Sequence, residues 1–146
     1  MARNVYFSYK CTDVSRAIIV RDSWITHGSK AAGFIDAADI ERIERQGESS
    51  VQQWIDQALQ GTSVTVVLVG RDTCTSQWVR HEIEKSISAG NALLGVDISN
   101  IPDEKGNTSE LCGELPAGYP FYDWVRDEGE KHIGEWIERA AKADGR

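Results

Sequence analysis

Two side chains four residues apart, Trp78 and Glu82, are the strongest candidates for chemistry in this 146-residue chain. They sit in the run Ser76-Gln77-Trp78-Val79-Arg80-His81-Glu82-Ile83-Glu84-Lys85-Ser86-Ile87, which reads as a helix following the apolar strand Ser63 to Val69 and its terminating Gly70. Spacing of four puts Trp78 above Glu82 on one helix face. Val79, Ile83 and Ile87 make the expected inward stripe on the next face. A carboxylate beside a large aromatic, on the helix after a strand, lies where open α/β sheets hold ligands. Aromatic faces and one carboxylate suit a ribose-linked heterocycle.

The elements that must position this pair follow from periodicity. Val5 to Tyr9 predicts the first, central strand. A helix from Thr12 or Asp13 to about His27 buries Val14, Ala17, Ile18, Trp24 and Ile25, and Gly28 stops it. Ala31 to Asp36 predicts a second strand, and Ala37 to Gly47 a polar connection. Val51, Trp54, Ile55, Ala58 and Leu59 predict a helix that starts at Ser49 or Ser50 and ends at Gly61. Ser63–Val69 and Ala92–Ile98 lack alternation, as expected of parallel strands buried on both faces. Residues from Asn100 to Tyr119 form a connection too long for an ordinary connector, as functional or disordered loops are. Pro120 to Trp124 predicts an edge strand or a short turn of helix, and Glu128 into the 140s a last helix with Ile133, Trp136, Ile137 and Ala140 inward. Strands alternating with helices predict one α/β domain over residues 1–146. Its parallel sheet is of order 2-1-3-4-5 with helices on both faces, a flavodoxin-like arrangement.

In that order the switch point lies between the first and third strands. Phe7, Ser8 and Tyr9 would arrive there from strand one, and Gly70, Arg71 and Asp72 from the turn before the Trp78 helix. The 100–119 connection would cover them.

Composition excludes several other classes. The net charge is −7 and the isoelectric point about 4.9, which argues against a nucleic-acid surface. No apolar run approaches the ~20 residues a membrane helix needs. The start, Met1-Ala2-Arg3-Asn4, runs straight into a strand, so no signal peptide is expected. Cys11, Cys74 and Cys112 are odd in number and far apart, which predicts reduced thiols in a cytoplasmic protein rather than a disulfide framework. His27, His81 and His132 are scattered and no metal site is expected. GxGxxG and Walker motifs are missing. A phosphoaccepting receiver would need an acidic pair after strand one, where Tyr9-Lys10 stands.

The Tyr6-Phe7-Ser8-Tyr9 strand, the Trp78-Val79-Arg80-His81-Glu82 element and the order of elements resemble a TIR domain. More closely, the chain resembles the TIR-like proteins of the Thoeris anti-phage defence system, in Val5–Tyr9, Ala31–Ala37, Thr62–Gly70, Trp78–Asn91, Gly106-Asn107 and Tyr122–Val125. The resemblance implies an NAD-cleaving enzyme that releases nicotinamide and makes a cyclic ADP-ribose isomer, which activates a partner effector. NAD is then substrate and no cofactor is needed. It implies Glu82 and Asn107 as catalytic residues and Phe7 and Trp78 as pocket aromatics; Ser8 and Arg71 join the expected substrate-binding residues by their place at the switch point. It also implies self-association on activation. The alternative is a non-catalytic TIR adaptor or nucleotide-sensing module acting through protein contacts. Two departures from general TIR domains stand out: Val79 where many have Cys, and no Pro between Ala38 and Ser49.

Overall fold

Two six-residue runs of mostly aliphatic side chains form the middle of the sheet: β2 (Val64–Val69) and β3 (Ala92–Asp97), every residue of both buried. With helices on both faces neither strand has a solvent side, which is why neither alternates. β1 (Val5–Ser8) pairs with β2, and β4 (Phe121–Asp123) pairs with the end of β3. The order is β1-β2-β3-β4 and all three pairings are parallel, with Val5 opposite Val64, Val64 opposite Ala92 and Gly95 opposite Phe121. This is a computed structural model, and it describes residues 5–26, 45–60 and 62–143. The four strands are the first, third, fourth and fifth of the expected set, in the expected neighbour order. The strand expected over 31–36, most of the connection after it, and the stop signals Gly28 and Gly61 lie outside the described residues.

Parallel strands require crossovers: α1 (Val14–Thr26) and α2 (Glu48–Gln60) lie between β1 and β2, α3 (Gln77–Ser88) lies between β2 and β3, the long connection joins β3 to β4, and α4 (Gly129–Ala143) follows β4. Alternation along each strand sends side chains to two separate cores. Val5, Phe7, Val64, Val66, Leu68, Leu94 and Val96 face α1 and α4, where Ala17, Val20, Trp24, Ile133, Trp136 and Ile137 close over them. Tyr6 faces the other way, against Val51, Ile55 and Leu59 of α2. Val67, Val69 and Leu93 share that side with Val79 of α3.

The stripe on α3 departs from expectation. Ile87 is 41% exposed, and the buried residues are Val79, Glu82 and Ser86. Steps of four on a 3.6-residue helix drift by about 40° each, so Ile87 has rotated off the face that Val79 occupies. Ser86, seven residues on, returns to it and is held by Thr65 (Oγ–Oγ 2.7 Å).

The cysteines correct another expectation. Cys74 and Cys112 are bridged, with Cα atoms 5.3 Å apart across 38 residues of sequence. The turn after β2 and the long connection run side by side, the Cys74 N–H donating to the Cys112 carbonyl at 2.9 Å. That pairing brings the side chains within bridging range. Spacing in the sequence carries no trace of it.

Candidate active site

Glu82 enters the site from the second turn of α3. Ser76 caps that helix, its Oγ accepting from the Val79 N–H at 3.2 Å. The Ser86 hydroxyl donates to the Glu82 carbonyl at 2.6 Å, so Thr65 of β2 fixes the height of the helix through Ser86. The Glu82 side chain is 5% exposed. An ordinary helix-surface Glu would be solvated, and this one is not.

The groups around the carboxyl come from β1. Tyr6 and Ser8, two apart, share the α2–α3 face and are 2% and 0% exposed. Burial pushes the Glu82 carboxyl up to about 8, with the Ser8 and Tyr6 hydroxyls acting in the opposite direction as hydrogen-bonding neighbours. The Tyr6 phenol is itself raised well above its usual range, first by burial and then by the charge of Glu82. Both hydroxyls are thus close enough to favour the carboxylate. Ser8 Oγ and Glu82 Oε2 nevertheless have no hydrogen-bond partner of good geometry, although both atoms are fully buried. Trp78, half-buried one turn before Glu82, packs against the same Tyr6 cluster.

Tyr6, Ser8, Trp78 and Glu82 therefore form one constellation. Other expected site residues lie elsewhere. Phe7 is not brought to Glu82: alternation turns it to the opposite face, where it is 2% exposed in the α1–α4 core. Arg71 is exposed in the turn after β2. Asn107 is exposed in the long connection, its N–H donating to Asp103 Oδ1 and its carbonyl accepting from Arg16 Nη2, both at 2.9 Å. Arg16 also donates to the Ile101 carbonyl at 2.6 Å and pairs with Asp13 at 3.3 Å, tying this loop to α1. Tyr6 was missed as a site residue, though its period-two relation to Ser8 was a signal for it.

A cleft of about 450 Å³ opens on the other flank of α3, between Val67 and Val69 of β2, Val79, Arg80 and Ile83 of α3, and Gly113 and Glu114 of the long connection. Gly113 has φ +144° and lies against Val69, where a Cβ would come within 2.9 Å of the Val69 methyl. The connection thus covers this cleft, which Glu82 does not line. Asp56 of α2 faces His81 Nε2 at 3.5 Å and Lys85 Nζ at 3.9 Å. Among the described residues no group of three His, Cys, Asp or Glu side chains could hold a metal ion. No described helix is long and apolar enough to cross a membrane.

A parallel sheet whose first strand reads Val-Tyr-Phe-Ser, and whose third helix sets Trp and Glu four apart, defines a TIR-like domain. The chain belongs to the Thoeris family of such domains: residues 6–103 match the family described as "Thoeris protein ThsB, TIR-like domain". It is also 37% identical over 139 residues to a protein of Bacillus cereus (strain MSX-D12) named "Putative cyclic ADP-D-ribose synthase ThsB1", covering 93% of this chain and 72% of that one.

Proposed function

We propose that this protein is an NAD-cleaving enzyme of anti-phage defence that expels nicotinamide and closes the remaining ADP-ribose into a cyclic isomer. The observation carrying the reading is the buried Glu82 carboxyl, one oxygen unpaired, beside the β1 hydroxyls and one turn after Trp78 on the same helix. Unsatisfied buried oxygens call for an explanation, and a ligand hydroxyl between Ser8 Oγ and Glu82 Oε2 would satisfy both. The name of the Bacillus cereus relative supports the same chemistry.

The roles follow from the chemistry. Departure of nicotinamide leaves positive charge on the ribose, as in glycoside cleavage. A carboxylate in a dry setting stabilises that charge more than one in water. Glu82 rests mainly neutral at pH 7, since burial holds it at about 8. The pyridinium of NAD is cationic, and a positive charge nearby lowers a carboxyl's pKa. Substrate would thus ionise the group that serves it, and Glu82 could then take the proton of the hydroxyl that attacks the anomeric carbon. Trp78 would stack against a base and Ser8 would donate to a ribose oxygen. Asn107 and Arg71 are held at the carboxyl ends of the strands, where they would meet the phosphates or the far ribose. The product would carry the signal to an effector, and self-association would complete the site on activation.

The test is incubation of the folded protein with NAD, with and without extract of phage-infected cells, read by mass spectrometry for nicotinamide and cyclic products. Glu82→Gln serves as the control. NAD left intact in both conditions overturns the reading.

A further inference from the structure

A catalytic carboxylate must be aimed as well as buried, and α3 alone does not aim this one. The helix is held at Ser86, whose hydroxyl bonds Thr65 (2.7 Å) and the Glu82 carbonyl (2.6 Å). That fixes the Glu82 backbone and leaves its side-chain torsions free. Thr65 is the register partner of Tyr6 on the neighbouring strand. The same level of the sheet therefore presents a clamp for the helix from β2 and a phenol for the carboxyl from β1.

Tyr6 is suited to be a fixed point. It is 2% exposed, and Val51, Ile55 and Leu59 pack around it, with Trp54 tilted at 54° and 6.3 Å from its ring centre. Packing of this kind holds the ring in place. Ser8 is just as buried, but its Oγ makes no bond of good geometry.

We propose that Tyr6 is the positioning residue for Glu82: its phenol donates to the carboxyl, holds its orientation, and leaves Oε2 and Ser8 Oγ to receive a substrate hydroxyl. This rests on the reading of Glu82 as the catalytic group. The electrostatics are compatible with this: burial raises the Glu82 carboxyl while the Ser8 hydroxyl and then the Tyr6 phenol act against it, and the phenol is itself raised first by burial and then by the charge of Glu82. The other charged and titratable groups near this region among the described residues are Asp56 of α2, His81 and Lys85 of α3, which pair with it, and Tyr9 beyond β1, which acts on Tyr6. A change confined to the Tyr6 hydroxyl leaves all of them in place.

The experiment is Tyr6→Phe in the full chain, with two readouts. The first is the Glu82 midpoint by carbon-13 NMR of glutamate-labelled protein, assigned with Glu82→Gln. The second is nicotinamide release from NAD against pH. Losing a hydrogen bond to a charged group moves the midpoint up by about one pH unit, so kcat/KM on the acid side falls about tenfold and the two profiles converge at alkaline pH. Replacing the four tyrosines by 3-fluorotyrosine gives a more acidic, stronger donor and moves the midpoint down. It keeps the question open to test where Tyr6→Phe does not fold. An unmoved midpoint, or a uniform loss of turnover at every pH, overturns the proposal. If the parent protein releases no nicotinamide, the enzymatic reading falls, while the NMR midpoint still decides whether Tyr6 holds Glu82.

Discussion

Glu82→Gln separates a buried neutral carboxyl from an ordinary surface one by its effect on stability as well as on turnover. The carboxyl titrates near 4.5 when unfolded and at about 8 in the fold. Between those values the folded state holds a proton that the unfolded state has released. Folding then takes up a proton, and stability falls as pH rises. The contribution is fully present below about 4.5 and is lost as pH rises through about 8. Each pH unit inside this window is worth about 1.4 kcal/mol, so the parent loses about 3 kcal/mol from this group between about pH 5 and pH 7.5. Gln carries no proton and has no such slope. Its buried amide has its own cost, but one that does not vary with pH. Urea unfolding of both proteins at several pH values should show Glu82→Gln gaining about 3 kcal/mol on the parent across that interval, while nicotinamide release is abolished. All other titrating groups are common to the two proteins and cancel in the difference. Parallel stability curves would refute the burial argument, whatever happened to activity.

Trp78→Ala should lower stability by about 2–3 kcal/mol, less than for a fully buried ring because Trp78 is only half-buried, and denaturant midpoints check it. Arg16→Ala removes the bonds to Ile101, Asn107 and Asp13 and leaves the Asp13 carboxyl buried without its cation. A loss of about 3 kcal/mol is expected, together with faster proteolysis within residues 101–118. Cys112→Ser opens a closed loop of 38 residues' separation, which the chain-entropy relation sets at about 4 kcal/mol. The parent protein in excess reductant should unfold at the same midpoint as this variant.

Much of the architecture was legible because the decisive elements are periodic or uniformly apolar. β2 and β3 stood out as runs with no polar side, and the pattern Val51, Trp54, Ile55, Leu59 marked α2. The pairing of Trp78 with Glu82 followed from helical spacing, though the burial of Glu82 did not. Burial depends on β1 and α2 closing over it, which are tertiary facts. Phe7 and Ser8 are adjacent at one strand end, but a two-residue period separates them onto opposite faces and joins Ser8 to Tyr6 instead. The path of the 100–119 connection was illegible for a different reason. It is organised by the Arg16 side chain and by main-chain bonds such as Cys112 N–H to the Gly70 carbonyl (2.9 Å), neither of which leaves a pattern in local sequence.

The Cys74–Cys112 bridge fastens that connection beside the turn from which α3 springs. Thiol buffers or glutathione would therefore set how far residues 99–120 can swing, while the sheet and its helices keep their places. The same polypeptide would exist as a tethered and an untethered form, told apart by what the surrounding medium does to one sulfur–sulfur bond.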